Sequence, residues 1–387
     1  MAVNTITDLI PDLYNALDVV SRELVGFIPA VSSDLTFERA AVGQTVRSPV
    51  APASTASDIT PAVTPPDDGE QTIGNVDMTI QKARRVPVRW NGEQSLGLNN
   101  NGPTRSRIMV DQFAQAMRTL CNEVEGDLAA LHIAASRAYG TAAQTPFGTA
   151  GDFSDASNVL KILKDNGNAS DAQLVIDTTA GAKLLGLQSR YDIAGDTIMQ
   201  NQGIIVNKAG LMLRESAAVK TSTAGTMSGG TVATGSYAVG ATVLSLKNAT
   251  GTGACVAGDV ITIADDTNKY VVASVSQAGA NPATGDTITL AAPGLRKAIS
   301  GEKVITVIAA AARNMAFTRS AIALATRAPA LPVEGDSASD REIVSDPRSG
   351  LSFEVSMYKQ YRQVQYEVAL AWGVKAVKSE HIALLLG

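Results

Sequence analysis

Apolar residues recur with a helical period through residues 103–139. Met109, Phe113, Met117, Leu120, Val124, Leu128, Leu131 and Ala135 fall 4, 4, 3, 4, 4, 3 and 4 positions apart. Asp111, Arg118, Asn122 and Glu125 lie between them, as an amphipathic helix requires. Pro103 and Thr104 open the run and Gly140 closes it. The pattern predicts one helix about 55 Å long at ~1.5 Å per residue, enough to cross a whole subunit. Gly126 interrupts it, at a cost of up to about 1 kcal/mol against Ala, and marks a bend or a close contact. A shorter stripe (Leu9, Leu13, Leu17, Val20, Leu24) predicts a helix over 8–27, ended by Gly26 and Pro29.

Between these helices the period changes. Residues 31–102 hold Pro49, Pro52, Pro61, Pro65 and Pro66, the acidic turn Asp67-Asp68-Gly69-Glu70, and β-like runs at Val42–Val50 and Val76–Trp90. Two extended arms joined by a Pro-rich turn predict a long hairpin. It has too few apolar residues to bury both faces, and an isolated hairpin is marginal in water. It therefore needs a neighbour to lie on.

Residues 140–220 read as α/β. Helices are predicted at Ser157–Asp165 and at Thr178–Leu187 with a threonine cap. Strands are predicted at Gln173–Asp177, Ile204–Val206 and Leu211–Leu213. Residues 221–305 then become rich in Gly, Thr, Ser and Ala, with β-runs at Thr242–Leu246, Val260–Ala264, Tyr270–Val275, Thr287–Leu290 and Val304–Val307. Short, even turn spacing predicts a small all-β barrel or sandwich, inserted into an α/β chain. The α/β style resumes at Asn314–Ala325. A loop is expected over 329–349, and strands at Leu351–Met357 and Gln363–Leu370.

Composition narrows the classes. Of 387 residues 45% are hydrophobic but only 4% aromatic, so the core rests on aliphatic side chains. The net charge of −5 argues against a duplex-binding basic face. Cys121 and Cys255 read as free thiols in a reducing compartment. The first residues predict no signal peptide, and no run approaches the roughly 18 apolar residues of a membrane span.

Catalytic signals are sparse. His132 and His381 lie far apart, and no local Cys/His/carboxylate set has zinc spacing. Gly251-Thr252-Gly253 lacks the third glycine and following helix of a dinucleotide cradle. Asp265 and Asp266 before Asn268 lack the glycine and distal Glu of a calcium loop, and read as a β-turn. No phosphate loop or nucleophile elbow is present. No cofactor and no enzyme activity are therefore expected. The basic cluster Lys82, Arg84, Arg85 and Arg89 is the candidate site. It is a charged face that the acidic end Asp67, Asp68 and Glu70 of another copy can meet, or else a solvated ribbon.

The order hairpin, long helix, α/β body, β-insertion and closing strands resembles the major capsid proteins of tailed bacteriophages, with the Hong Kong 97-type fold. Asn314-Met315-Ala316-Phe317-Thr318-Arg319-Ser320-Ala321-Ile322-Ala323-Leu324-Ala325-Thr326-Arg327 is similar to a stretch of one coat-protein subgroup, that of short-tailed Salmonella phages, with Thr318 where His is usual. Gly350-Leu351-Ser352 and Trp372-Gly373-Val374-Lys375-Ala376 before Glu380 resemble its closing pattern, with Trp372 for Tyr and Ser379 for Pro. By motif the resemblance covers about 314–385. It implies an α+β fold with an N-terminal arm (1–30), an extended β-hairpin loop (31–102), a spine helix with the peripheral domain (103–150), a first axial part (151–220), the inserted β-domain (221–305) and a completing segment (306–387). It further implies pentamers and hexamers in an icosahedral shell, a scaffolding protein, a portal protein at one vertex, and enclosed double-stranded DNA held without sequence-specific contacts. The place implied is the virion, after assembly in the host cytoplasm, with no membrane. Two other readings stand beside it: an encapsulin-like compartment shell, and a β-rich tail protein or adhesin.

Overall fold

The computed structural model describes residues 26–50, 56–61, 63–64, 70, 72–99, 104–149, 152–167, 170–188, 210–247, 251–345 and 351–387. The expected helix over 8–27, the strand at Ile204–Val206, and Asp67 and Asp68 lie largely or wholly outside these. In chain order come β1 (Ser32–Ala40), β2 (Thr45–Val50), β3 (Gly74–Thr79), β4 (Lys82–Asn91), α1 (Gly92–Asn99), α2 (Thr104–Ala130), β5 (Arg137–Gly140), α3 (Ser154–Asp165), β6 (Ala172–Ile176), α4 (Thr178–Gln188) and β7 (Met212–Glu215). A second run is wholly β: β8 (Thr231–Val232), β9 (Ser236–Tyr237), β10 (Val243–Lys247), β11 (Val260–Ile263), β12 (Lys269–Ser276), β13 (Thr287–Leu290), β14 (Ile299–Ser300) and β15 (Ile305–Val307). The chain closes with β16 (Arg313–Thr318), β17 (Ile322–Pro329), β18 (Asp340–Ser345), β19 (Ser352–Gln360), β20 (Gln363–Ala376) and β21 (Ile382–Leu386).

The first sheet is organised by β20. Its Gln363–Trp372 pair with β4, Gln363–Ala369 with β19, and Ala371–Ala376 with β17. β1 adds to β17 in parallel, and β18 to β19. The α2 helix packs on β4 and β20 and buries Met109, Phe113, Met117, Leu120, Val124 and Leu128 against them. It runs antiparallel to β4. Trp90 Nε1 donates to Gln112 Oε1 (2.9 Å), Arg84 pairs with Glu123 (3.6 Å), and Lys82 with Asp127 (2.7 Å).

Several expectations change here. The long helix stops at Ala130, so 27 residues give about 40 Å instead of 55 Å. Leu131–Ala134 tighten into a 3-10 turn, and Arg137–Gly140 become β5, paired in parallel with β21. The apolar stripe continues to Ala135, but Ser136 gives both its N–H and its hydroxyl to Ile382 O, and sheet pairing overrides helical period there. The two arms of the expected hairpin pair as β2 and β3, but the second arm divides. Val76–Trp90 breaks at Ile80-Gln81: β3 pairs with β2, whereas β4 joins the body sheet. Residues 340–345, expected in a loop, form β18 because Val344 fills a buried position. The α4 helix is capped by Asp177, whose carboxylate accepts the Thr179 and Ala180 N–H groups, not by a threonine.

The second sheet runs β7-β6-β16-β21-β5 and continues through β12 into the run from β8 to β15. There β8, β10, β13, β12, β11 and β15 pair antiparallel in sequence. A bridge between Thr231 and Val304, with Val232 N–H to Lys303 O and Ile305 N–H to Gly230 O, closes the ring. Met227, Val232, Leu244, Leu246, Ile261, Ile263, Tyr270, Val272, Ile288 and Leu290 fill its interior. The ring also leaves and rejoins the body at one place. β7 runs parallel to β6 and β16 antiparallel to it, so Glu215 and Arg313 both lie at the Ile176 end of β6. Closely spaced connections of that kind suit a unit carried on another.

Candidate assembly surfaces

The β2–β3 ribbon is held firmly at its root and left open beyond it. Ile80 N–H donates to Gln44 O and Gly43 N–H to Ile80 O, which sets the turn into β4. Gln81 gives its N–H to Trp372 O (2.9 Å) and its side-chain amide to Val374 O (3.1 Å). Lys375 reaches Asp77 O (2.7 Å). Ribbon residues Met78 and Ile80 are buried with Ala40, Ala325 and Ala371. Gly373 makes this seat possible: a Cβ there would stand 2.1 Å from Thr79 O. Away from the root the ribbon's apolar side chains face solvent. Ile59 is 98% exposed, Val63 104% and Ile73 66%.

Under the seat lies a charged node. Asp127, on α2, accepts from Trp372 Nε1 (2.9 Å) and pairs with Lys82 (2.7 Å), whose ammonium stands 6.0 Å over the fully buried Trp372 ring. One carboxylate thus links helix, β4 and β20.

A second node fixes the point where residues 26–31 join the body. Glu125, 2% exposed, accepts the N–H groups of Phe27 (3.0 and 3.1 Å) and Ile28 (2.9 Å) and the Ser216 hydroxyl (2.8 Å). Burial pushes its pKa up, and these donors pull it partly back. Phe27 stacks on Phe317 (6.3 Å), and Arg319 donates to Pro29 O (2.7 Å). The stretch 314–327 therefore does structural work. β16 is buried throughout, and Arg327 pairs with Asp34 (2.7 Å) to seat β1.

The structure places the basic candidates on β4, not on the ribbon. Lys82 pairs with Asp127, Arg84 with Glu123, and Arg85 with Glu367 (2.7 Å), the last bond raising the Arg85 pKa. All three carboxylates belong to the same chain. Arg89 is exposed opposite Gln365, and Glu70 is exposed. Asp67 and Asp68 lie outside the described residues. Sequence reasoning missed Asp127, Glu125 and Gly373. Glu125 carried the one available signal, an acidic residue directly beside Val124 on the apolar stripe.

Elsewhere, polar groups serve structure. Asp265 pairs with Lys303 (2.6 Å), and Asp266 accepts from Asn268 N–H (3.0 Å) and from the Tyr270 hydroxyl (2.6 Å), which uses the carboxylates of that turn. Cys121 and Cys255 are buried and form no disulfide among the described residues. Among the described residues no group of three or more His, Cys, Asp or Glu is placed to hold a metal ion.

No protein-family model and no curated protein matches this chain. Among solved structures it is similar to the capsid of the cyanophage P-SCSP1u (TM-score 0.46, 11% identity, 92% of this chain and 86% of that one). It is similar to the mature capsid of bacteriophage PhiM1 (0.45, 9%, 94% and 87%). It is also similar to the virus-like particle from Pyrococcus furiosus (0.42, 9%, 97% and 98%).

Proposed function

We propose that this chain is the major capsid protein of a tailed bacteriophage, a Hong Kong 97-type subunit that assembles with copies of itself into the head shell. The supporting observation is the ribbon: clamped to the body through Gly373, Gln81 and Lys375, it carries Ile59, Val63 and Ile73 into solvent. A subunit that holds an unfinished apolar arm at a fixed angle is suited to lay it on a neighbour. Many weak repeated contacts then sum as avidity. The motifs at 314–327 and 350–385 agree with this reading.

In this account the shell is built of pentamers and hexamers in the virion. A scaffolding protein guides assembly in the host cytoplasm, a portal occupies one vertex, and DNA is enclosed without sequence-specific contacts. Asp67, Asp68 and Glu70 meet Arg89 of a neighbouring copy, while Lys82, Arg84 and Arg85 act within the subunit. Each such surface pair contributes only about 0–1 kcal/mol, so its weight comes from repetition.

Negative-stain electron microscopy of the purified, overexpressed chain tests the proposal. Closed hollow shells are expected. A uniformly monomeric protein at high concentration would reject it, and particles filled with cargo protein in place of DNA would favour a compartment shell.

A further inference from the structure

The joint between barrel and body contains a buried guanidinium without hydrogen-bond acceptors among the described residues. Arg313, the first residue of β16, is 1% exposed, and none of its three guanidinium nitrogens has a hydrogen-bond partner among the described residues. A guanidinium carries five N–H donors and stays charged, and burying it without acceptors is strongly unfavourable. Asp259, also 1% exposed, interacts with it electrostatically, but its two oxygens already accept the N–H groups of Gly225 (2.9 Å) and Val256 (2.8 Å). It forms no ion pair with Arg313 among the described residues.

His132 and Lys220 are the other titratable groups near this place. The Arg313 N–H donates to Lys220 O (2.9 Å), which sets Lys220 alongside. His132, on the 3-10 turn after α2, lies against Gly258 of the barrel: a Cβ on that glycine would stand 3.2 Å from its Nε2. Burial lowers the His132 pKa, its hydrogen bond to Ala129 O partly offsets that, and Arg313 and Lys220 lower it further. Burial likewise pulls the Arg313 pKa down. The buried Arg313 guanidinium thus sits where barrel and body meet, with the Asp259 carboxylate near it, His132 against the barrel and the exposed Lys220 at the edge.

We propose that Arg313 binds a small inorganic anion at this joint, one that supplies the missing acceptors and helps hold the barrel against the body. A chloride or a phosphate has the required chemistry: full negative charge and lone pairs toward a planar fork of donors. The inference goes beyond shell formation and is independent of it, since the joint lies wholly within one chain.

Thermal unfolding of the purified full chain tests it, at fixed pH and ionic strength, with gluconate replaced stepwise by chloride in one series and by phosphate in another. Ligand binding to the native state alone raises the midpoint with concentration. A saturating rise of about 2–4 °C is expected for the wild type with at least one of the two anions, and a flat response for Arg313→Met with both. The anion giving the rise at lower concentration identifies the preferred ligand. A flat wild-type response to both anions, or equal rises in wild type and variant, would overturn the proposal. Should Arg313→Met fail to fold, bromide-soaked crystals of the wild type decide. An anomalous peak beside the guanidinium supports the site, and its absence overturns it.

Discussion

The barrel and the ribbon are both made of short antiparallel strands with frequent turns, and they bury themselves in opposite ways. The barrel closes a six-strand ring on fourteen buried residues of its own segment. Among the described residues the ribbon contributes Met78, Ile80 and the partly buried Val46 to a small cluster otherwise supplied by β1, β17 and β20. Strand content does not separate them. What separates them is whether alternating apolar positions find a second layer within the same segment. The barrel covers its apolar positions inside one molecule, whereas the ribbon leaves Ile59, Val63 and Ile73 in solvent.

The largest effect that sharpens this contrast is expected inside the barrel. Leu244, fully buried, should cost about 2–5 kcal/mol when cut to alanine, by lost transfer energy plus a cavity. Because that core is separate, calorimetry should show the barrel melting earlier while the body transition stays. A single transition shifted as a whole would show that barrel and body fold as one unit. Next comes the ribbon's seat. Gly373→Val places methyls where Thr79 O lies, and overpacking should cost about 1–3 kcal/mol. Denaturant titration reads that loss, and sedimentation should show far fewer shells. Normal shells would mean that the angle of the ribbon does not matter. The smallest effect is Gly126→Ala. The nearest atom to a Cβ there is Lys220 Nζ at 3.8 Å, so there is room. A gain of up to about 1 kcal/mol in melting experiments is expected, with barrel and ribbon unaffected.

Much of this arrangement was legible in the chain. The helical stripe gave α2, because period 3.6 with charged residues between is hard to produce otherwise, and the dense turn residues of 221–305 gave a β segment. What could not be read were decisions made by distant partners. Ser136 leaves the helix for Ile382, and Lys82 leaves the ribbon for β20, and no local signal near either residue names those partners. The candidate surface was legible in outline only. The shortage of apolar residues over 31–102 pointed to an arm in need of a neighbour. Its basic residues, however, were assigned to the arm by proximity in sequence, whereas the break at Ile80-Gln81 moves them to the body, beside Glu123, Asp127 and Glu367. Glu125 reads as an ordinary polar residue between stripe positions and nothing local marks Asp127, because their partners are main-chain donors and an indole far away in sequence.

Sedimentation velocity of the wild type against the double variant Ile59→Asp/Val63→Asp tests the dependence of the ribbon on a second copy most directly. Both positions are solvent-facing, so the isolated subunit should keep its melting temperature, as surface changes usually stay within about 0.5 kcal/mol. The wild type should sediment as shells and the variant as folded subunits or small oligomers. Shells formed equally well by both would contradict the account.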